Sequence, residues 1–341
     1  MSRKRILTGD RPTGPLHLGH YVGSVANRAR LQDEFETFVI IADAQALTTN
    51  FDRPERLAED VLNVAMDNLA CGVDPQKSVL FVQSLVPAIA ELTVFYANLV
   101  TVNQLFHNPT IKTEAAQHNF EESMPFGFLG YPVSQAADIT FCRANLVPVG
   151  EDQLPHIEMT RKIVRKFNSL YAPVLVEPEA RVSEVSRLPG LDGGAKMSKS
   201  LGNAIYLSDP PDVVKQKVAR AVTDPARIHP TDKGHPEICT VFAWHRAFNR
   251  AESDDIGERC RAGTIGCVPC KARLVAVLNE FLEPIRARRA GYEQDPDLVR
   301  DILSTGTARA RHEGDRTMAL VRAAMKIDYF PPPAPAATAG N

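Results

Sequence analysis

The sequence predicts an α/β fold: a Rossmann-like, doubly wound parallel sheet with a C-terminal all-helical domain. Three observations predict it. Short apolar runs without alternation punctuate the first half of the chain, as in strands buried on both faces. Stretches of helical periodicity lie between them, the alternation that builds a parallel sheet. Beyond Tyr206 helical patterns continue and no convincing buried strand follows.

The first run is Arg5-Ile6-Leu7-Thr8-Gly9, a short strand ending in a turn. Thr37 to Ala42, Val79 to Val82 and Leu146 to Val149 are the next three. Asp52 with Glu55 predicts a capping box, with Pro54 in the first turn. Leu57, Val61, Val64, Ala65 and Leu69 then recur at helical spacing, and Gly72 closes that helix. Asp152 to Leu170 predicts another helix, and Lys271 to Tyr292 is the clearest of the second half. The domains expected are 1–206 for the sheet, 207–327 for the helices, and a tail over 328–341. From Pro331 that tail is low in complexity and reads as disordered. There is no internal repeat. Ligands in such folds sit at the carboxyl ends of the strands.

A chain of 341 residues exceeds what one core usually supports, in keeping with two domains. The formal net charge of −2 gives no global basic signature, so nucleic acid must be met by local patches. No window carries the roughly 18 apolar residues of a membrane span. The basic start, Met1 to Arg5, runs straight into a strand and does not read as a signal peptide, so the cytoplasm is expected. Four of the six cysteines crowd together, Cys239, Cys260, Cys267 and Cys270, which in a cytosolic protein suggests metal rather than disulfides. The closing C-x2-C suits either zinc or a [4Fe–4S] cluster, and spacing alone does not separate them from each other or from four buried thiols. Cys71 and Cys142 sit in apolar stretches and read as core filler.

Two motifs carry chemistry. Pro12-Thr13-Gly14-Pro15-Leu16-His17-Leu18-Gly19-His20 follows the first strand and opens a helix. Gly14 allows a turn and Gly19 a close ligand approach. His17 and His20 project to one face, where a helix N-terminus offers N–H groups to phosphate. Alone, this motif reads equally as a metal pair or a capped helix start. Lys196-Met197-Ser198-Lys199-Ser200 lies between Gly193-Gly194 and Gly202-Asn203. Two lysines on a glycine-flanked loop can close over a triphosphate; alone, such a loop reads as solvated.

Together and in this order the two motifs resemble the signatures of class I aminoacyl-tRNA synthetases, with His-Leu-Gly-His a mild departure in the first. Tyr131-Pro132-Val133-Ser134-Gln135-Ala136-Ala137-Asp138-Ile139, then Val147-Pro148-Val149-Gly150-Glu151-Asp152-Gln153 with His156-Ile157-Glu158, resembles the tryptophanyl and tyrosyl branch, and within it the bacterial tryptophanyl members. The likeness runs over residues 1 to 327. It implies an enzyme that joins tryptophan to ATP as tryptophanyl-adenylate and transfers it to tRNA(Trp), with ATP and Mg2+, as a homodimer. His17, His20, Lys196 and Lys199 are then the catalytic groups. Arg11, Thr13, Gly19, His20, Gly150, Asp152, Gln153, Lys196, Met197, Ser198, Lys199 and Ser200 hold ATP. Leu7, Gln45, Tyr131, Gln135 and Asp138 hold tryptophan. Asp138 would accept the indole N–H, since that nitrogen only donates; its other reading is a structural helix carboxylate. The cysteine pattern resembles a subset of tryptophanyl enzymes with a [4Fe–4S] cluster, which favours iron–sulfur over zinc.

Leu7, Arg11 and Gln45 stand where phenylalanine, glutamine and histidine are frequent in the family, and Leu7 implies a differently shaped indole slot that tolerates ring-substituted tryptophans. Lys271, Arg273, Arg286, Arg288 and Arg289 form a basic helix face, for tRNA phosphates or simply solvated. Trp244 and Phe242 are candidate base stackers or core. The rivals are a tyrosyl enzyme, a non-catalytic paralogue that binds a partner, and a nucleotidyltransferase of the same fold superfamily.

Overall fold

A computed structural model describes residues 3–120, 122–182, 188–194, 197–199 and 201–330. Lys196, Ser200, the side chain of Asp152 and the segment 331–341 lie outside the described residues.

Five strands, β1 (Arg5–Asp10), β2 (Glu36–Ile41), β3 (Ser78–Val82), β4 (Leu146–Val149) and β5 (Glu179–Val182), form one parallel sheet in the order β3-β2-β1-β4-β5. The apolar runs are strands because both faces are covered. Leu7, Phe38, Ile40, Val79 and Phe81 point into one hydrophobic core, while Val39, Ile41, Leu80 and Val82 point into the other. Each such side chain, fully buried, contributes about 1.5–3 kcal/mol. The strand order reverses between β1 and β4, which opens a crevice at the carboxyl ends of the strands.

Three details depart from the sequence-based expectation. β5 was not foreseen: Glu-Ala-Arg-Val is an edge strand with mostly exposed residues, and carries none of the apolar continuity of a central strand. The Asp52–Glu55 capping box does not form. The chain enters through a 3-10 turn at Pro54–Arg56, with Arg53 at the cap position and no side-chain cap, so the acidic pair is one residue out of register. The helix then runs from Leu57 to Ala70, and Gly72 ends it at φ +100° as expected. The helix expected over 271–292 extends over Cys267–Gln294.

The last helix, Pro296–Met325, packs against β3, an edge of the sheet. Gly306 permits this approach: a Cβ there would stand 1.9 Å from the Leu80 carbonyl oxygen. The Thr307 hydroxyl accepts from the Val82 amide at 3.3 Å, and the Thr317 hydroxyl donates to the Phe141 carbonyl at 2.6 Å. Ala310, Met318 and Val321 fill the same core as Phe81. The Cys267–Gln294 helix is tied to the sheet region by buried Arg289, which pairs with fully buried Asp67. Burial pushes the Asp67 carboxyl up to about 6 although Arg289 and the Leu16 amide favour its charge.

Candidate active site

The first signature is held by its own histidines. His17 caps the short helix Leu18–His20: its Nδ1 accepts from the His20 amide at 3.3 Å, and His20 Nδ1 accepts from the His17 amide at 3.2 Å. A neutral imidazole whose Nδ1 accepts carries its proton on Nε2, so the reciprocal cap fixes both tautomers with Nε2 as donor. The rings lie 3.7 Å apart between centroids. A π-helical turn, Tyr21–Val25, follows and gives way to the helix Ala26–Leu31.

Within this motif the Leu18 and His20 amides donate to the Ile205 carbonyl and to His17. Gly19 also permits close packing: a Cβ would meet the His17 ring at 2.9 Å and Met197 at 3.4 Å. Gly14, at φ +108°, makes the expected turn, and Thr13 lies beside it, half-buried.

The second signature docks on the first. The Leu18 amide donates to Ile205, the Leu207 amide donates to Leu16, and His17 and Tyr206 form an antiparallel bridge. Met197 is buried and anchors the loop, while the Ser198 amide donates to Asn203 Oδ1 at 2.7 Å. Lys199 Nζ donates to the Gly14 carbonyl at 2.6 Å, so the two motifs meet. Burial pulls the Lys199 ammonium below the usual lysine range, and Asp10, Asp67 and Asp60 pull it back. A cation at this point can neutralise charge that develops on a phosphate.

A cavity of about 370 Å3 opens at the carboxyl ends of β1, β2 and β4, the predicted place. Leu7, Gln45, Tyr131, Gln135 and Asp138 all line it, as do Arg11, Gly150 and Gln153. The helix Phe126–Thr140 supplies three of them at i, i+4 and i+7, so Tyr131, Gln135 and Asp138 share one face. Thr13, Gly19, His20, Met197, Ser198 and Lys199 are not among the lining residues; the two signatures meet beside the cavity.

Asp138 is buried, and one of its oxygens accepts from Gln83 Nε2 at 2.7 Å. Burial pushes its carboxyl up to about 7; Gln83 offsets this in part and Asp43 adds to it. A buried acceptor at the end of a largely apolar slot suits a ligand with a single N–H.

Sequence reasoning missed several participants. Gln83 accepts from the Gln45 amide at 3.0 Å while donating to Asp138, so it joins two cavity walls. Arg28, buried, grips both oxygens of Asp10 and also donates to Thr8, Gly9, Asn68 and Ser24. Burial opposes the charge on Asp10, yet Arg28 outweighs it and holds the carboxyl down at about 2. His156 stands 2.9 Å from the Tyr131 hydroxyl, and Glu114 lines the cavity beside it. Its place eight positions after His20, on the helix Ala26–Leu31, is the one signal that could have marked Arg28. Glu114 left none.

Elsewhere, Cys239, Cys260, Cys267 and Cys270 line one small cavity with Arg227, Phe242 and Asp224. Burial and the three neighbouring cysteines push the Cys270 thiol up to about 12. Among the described residues no group of three or more His, Cys, Asp or Glu side chains is arranged to hold a metal ion. Trp244 is core, its indole N–H donating to the Pro189 carbonyl at 3.0 Å, so it is not a base stacker. Residues of the expected basic face also bond within the fold, although Arg273 and Arg288 stay exposed. Lys271 donates to Ala219, Arg273 to Glu252, Arg286 to Asp209 and Arg288 to Ala70. Among the described residues no helix is long and apolar enough to cross a membrane.

A family model described as tRNA synthetases class I (W and Y) matches residues 2–283. A tryptophan–tRNA ligase of Streptococcus mutans is 51% identical over 340 residues, covering 97% of this chain and 100% of the relative. One of Clostridium longisporum is 50% identical, covering 97% and 99%. Among solved structures, tryptophanyl-tRNA synthetase of Campylobacter jejuni complexed with ADP and tryptophan is 30% identical with a TM-score of 0.83, covering 94% of this chain and 99% of that one. A tyrosyl-tRNA synthetase of Archaeoglobus fulgidus, 22% identical with a TM-score of 0.66 over 85% and 90%, shares the fold. With two signatures docked beside a cavity that ends in a buried carboxylate, and relatives matched along nearly the whole length, the chain belongs to the class I tRNA synthetases of the tryptophanyl and tyrosyl branch.

Proposed function

We propose that the chain activates L-tryptophan with ATP and transfers it to tRNA(Trp). The observation that carries this is Asp138, a buried acceptor in the cavity that Leu7, Gln45, Tyr131 and Gln135 also line, beside the docked signatures. The tryptophan carboxylate attacks the α-phosphorus, an O–P bond forms, and the bond to the pyrophosphate oxygen breaks. His17 and His20, with Nε2 as donor, face the charge that develops on the phosphorus. Lys199, together with Lys196, meets the departing β- and γ-phosphates. Mg2+ shields those phosphates when bound. The adenylate then passes its acyl group to the 2′-hydroxyl of the tRNA's terminal adenosine: an ester bond forms, the acyl–phosphate bond breaks, and AMP leaves. Catalysis rests on positioning and electrostatics, without a covalent enzyme intermediate.

Arg11, Thr13, Gly150, Asp152, Gln153 and the Met197–Ser200 segment belong to the ATP side of this reading. Residues 1–206 form the catalytic part, and 207–327 a helical part that reads the anticodon in the cytoplasm. The four cysteines would hold a [4Fe–4S] cluster, which supplies a cross-link rather than chemistry at the phosphorus. Three features support that fit. The four thiols line one small cavity. Arg227 Nε is buried there with no partner. Gly234 leaves room that a Cβ, 2.6 Å from Cys260 Sγ, would fill. Iron and sulfide content and absorption near 400 nm after anaerobic purification test it; a protein that binds neither sinks it. A homodimer fits the exposed Val94, Val102, Phe106 and Phe126 on neighbouring helices, and sedimentation checks it.

Amino-acid-dependent pyrophosphate–ATP exchange tests the main reading. Exchange is expected with tryptophan and not tyrosine, and Lys199→Ala is expected to slow it by about 100- to 1,000-fold. Exchange driven by tyrosine, or full activity in that variant, overturns it.

A further inference from the structure

We propose that Glu114 is the counterion for the α-ammonium group of the amino-acid substrate. The inference rests on the reading that this cavity takes tryptophan.

Three carboxylates line the cavity among the described residues: Asp10, Asp138 and Glu114. Asp10 is committed to the Arg28 guanidinium, which engages both of its oxygens. Asp138 is bound to Gln83 and serves the indole end. A zwitterionic amino acid brings a cation as well, and a half-buried cation needs a fixed anion or acceptor set. Glu114 is the carboxylate left for it, and Tyr131, Gln135, Gln153 and Arg11 line the same cavity.

Glu114 is also held in place. The Asn108 amide nitrogen donates to His156 Nδ1 at 3.4 Å, which leaves the His156 proton on Nε2. That nitrogen lies 2.9 Å from the Tyr131 hydroxyl and donates to its oxygen. Burial, and then the nearby Glu114 carboxylate, push the Tyr131 phenol pKa up, which marks the two groups as neighbours on the cavity wall. The donors from Asn108 through His156 thus hold the Tyr131 hydroxyl on the same cavity as Glu114. Asn108 closes the arrangement from the other side: its Oδ1 accepts from the Thr110 amide at 3.0 Å and caps the helix Pro109–Gln117 that carries Glu114. Asn108 therefore both starts the relay and fixes the helix on which Glu114 stands.

Indole-3-propionate tests this directly, because it keeps the indole and the carboxylate and lacks the ammonium. In pyrophosphate exchange, Glu114→Gln is expected to raise the KM for tryptophan about 10- to 100-fold and to leave the KM for ATP unchanged. The KI of indole-3-propionate against tryptophan is expected to hold or fall, so the preference for tryptophan narrows by the same factor. Glu114→Asp should recover part of it. A packing role would instead weaken both ligands together, and that result, or a tryptophan KM within twofold of wild type, overturns the assignment. Wild-type protein that shows no tryptophan-dependent exchange overturns the functional reading itself, whereas normal wild-type exchange with an unchanged preference in Glu114→Gln overturns Glu114 alone.

Discussion

Replacing Asp138 by asparagine separates the two consequences of its burial. The folded protein holds this carboxyl at about 7 against an ordinary value of 3.8. The gap of about three pH units corresponds to about 4 kcal/mol at 1.36 kcal/mol per unit. The sign follows from proton binding. The folded state holds the proton more tightly than the unfolded chain does, so the site's contribution to stability is complete below about pH 4. It drains away as the pH rises to about 7 and is flat above. Asparagine does not titrate, and all other groups are common to both proteins. Urea denaturation should therefore show the variant gaining on the wild type by about 2–3 kcal/mol between pH 5 and pH 8. Activity should move the other way. Asparagine keeps one carbonyl oxygen, but its amide must then face either the Gln83 donor or the indole donor. Loss of a charged hydrogen bond costs about 1.5–3 kcal/mol, so kcat/KM for tryptophan at pH 8 should fall about 10- to 150-fold. In the wild type, tryptophan KM should rise as the pH drops below about 7. A stability difference that is the same at both pH values would refute the argument, as would an unchanged kcat/KM.

Arg289→Met leaves Asp67 buried without its partner and is expected to destabilise the protein by about 3–5 kcal/mol above pH 6, with the loss shrinking in acid as Asp67 takes up a proton; thermal melts at pH 5 and 8 check both the size and the trend. Gly306→Ala forces a Cβ against the Leu80 carbonyl, and about 1–3 kcal/mol of overpacking should outweigh the roughly 1 kcal/mol gain in helix propensity; a urea midpoint at or above wild type would contradict the close packing.

The sequence made the sheet legible wherever a strand is covered on both faces, because a short continuous apolar run rich in β-branched residues suits burial on both sides. It concealed β5, where an edge strand keeps polar side chains. The site was legible at the residues that repeat a motif: Leu7, Gln45, Tyr131, Gln135, Asp138, Arg11, Gly150 and Gln153 converge on one cavity. It was silent where partners come from distant segments. Gln83 reaches Asp138 across 55 positions, and no local pattern marks such a pair. Charge was the least informative property. Arg289 shares the spelling of a surface for phosphate with Arg273, Arg286 and Arg288, yet it is buried and paired with Asp67. A guanidinium that docks one helix on another has the same spelling as one that waits for tRNA. Gly19 shows a similar ambiguity, since room for a ligand and room for a neighbouring imidazole call for the same residue.

The placement of the last helix on β3 has a consequence for how the protein is made. Ribosomes deliver the sheet first, but the strand at its border stays uncovered until Gly306 and the residues after it emerge. A nascent chain cut short of that point would present Leu80 and its neighbours as a bare strand edge, the kind of surface on which unrelated chains pair. Activity should thus appear late in synthesis, and truncations that spare both signature motifs should still yield insoluble protein.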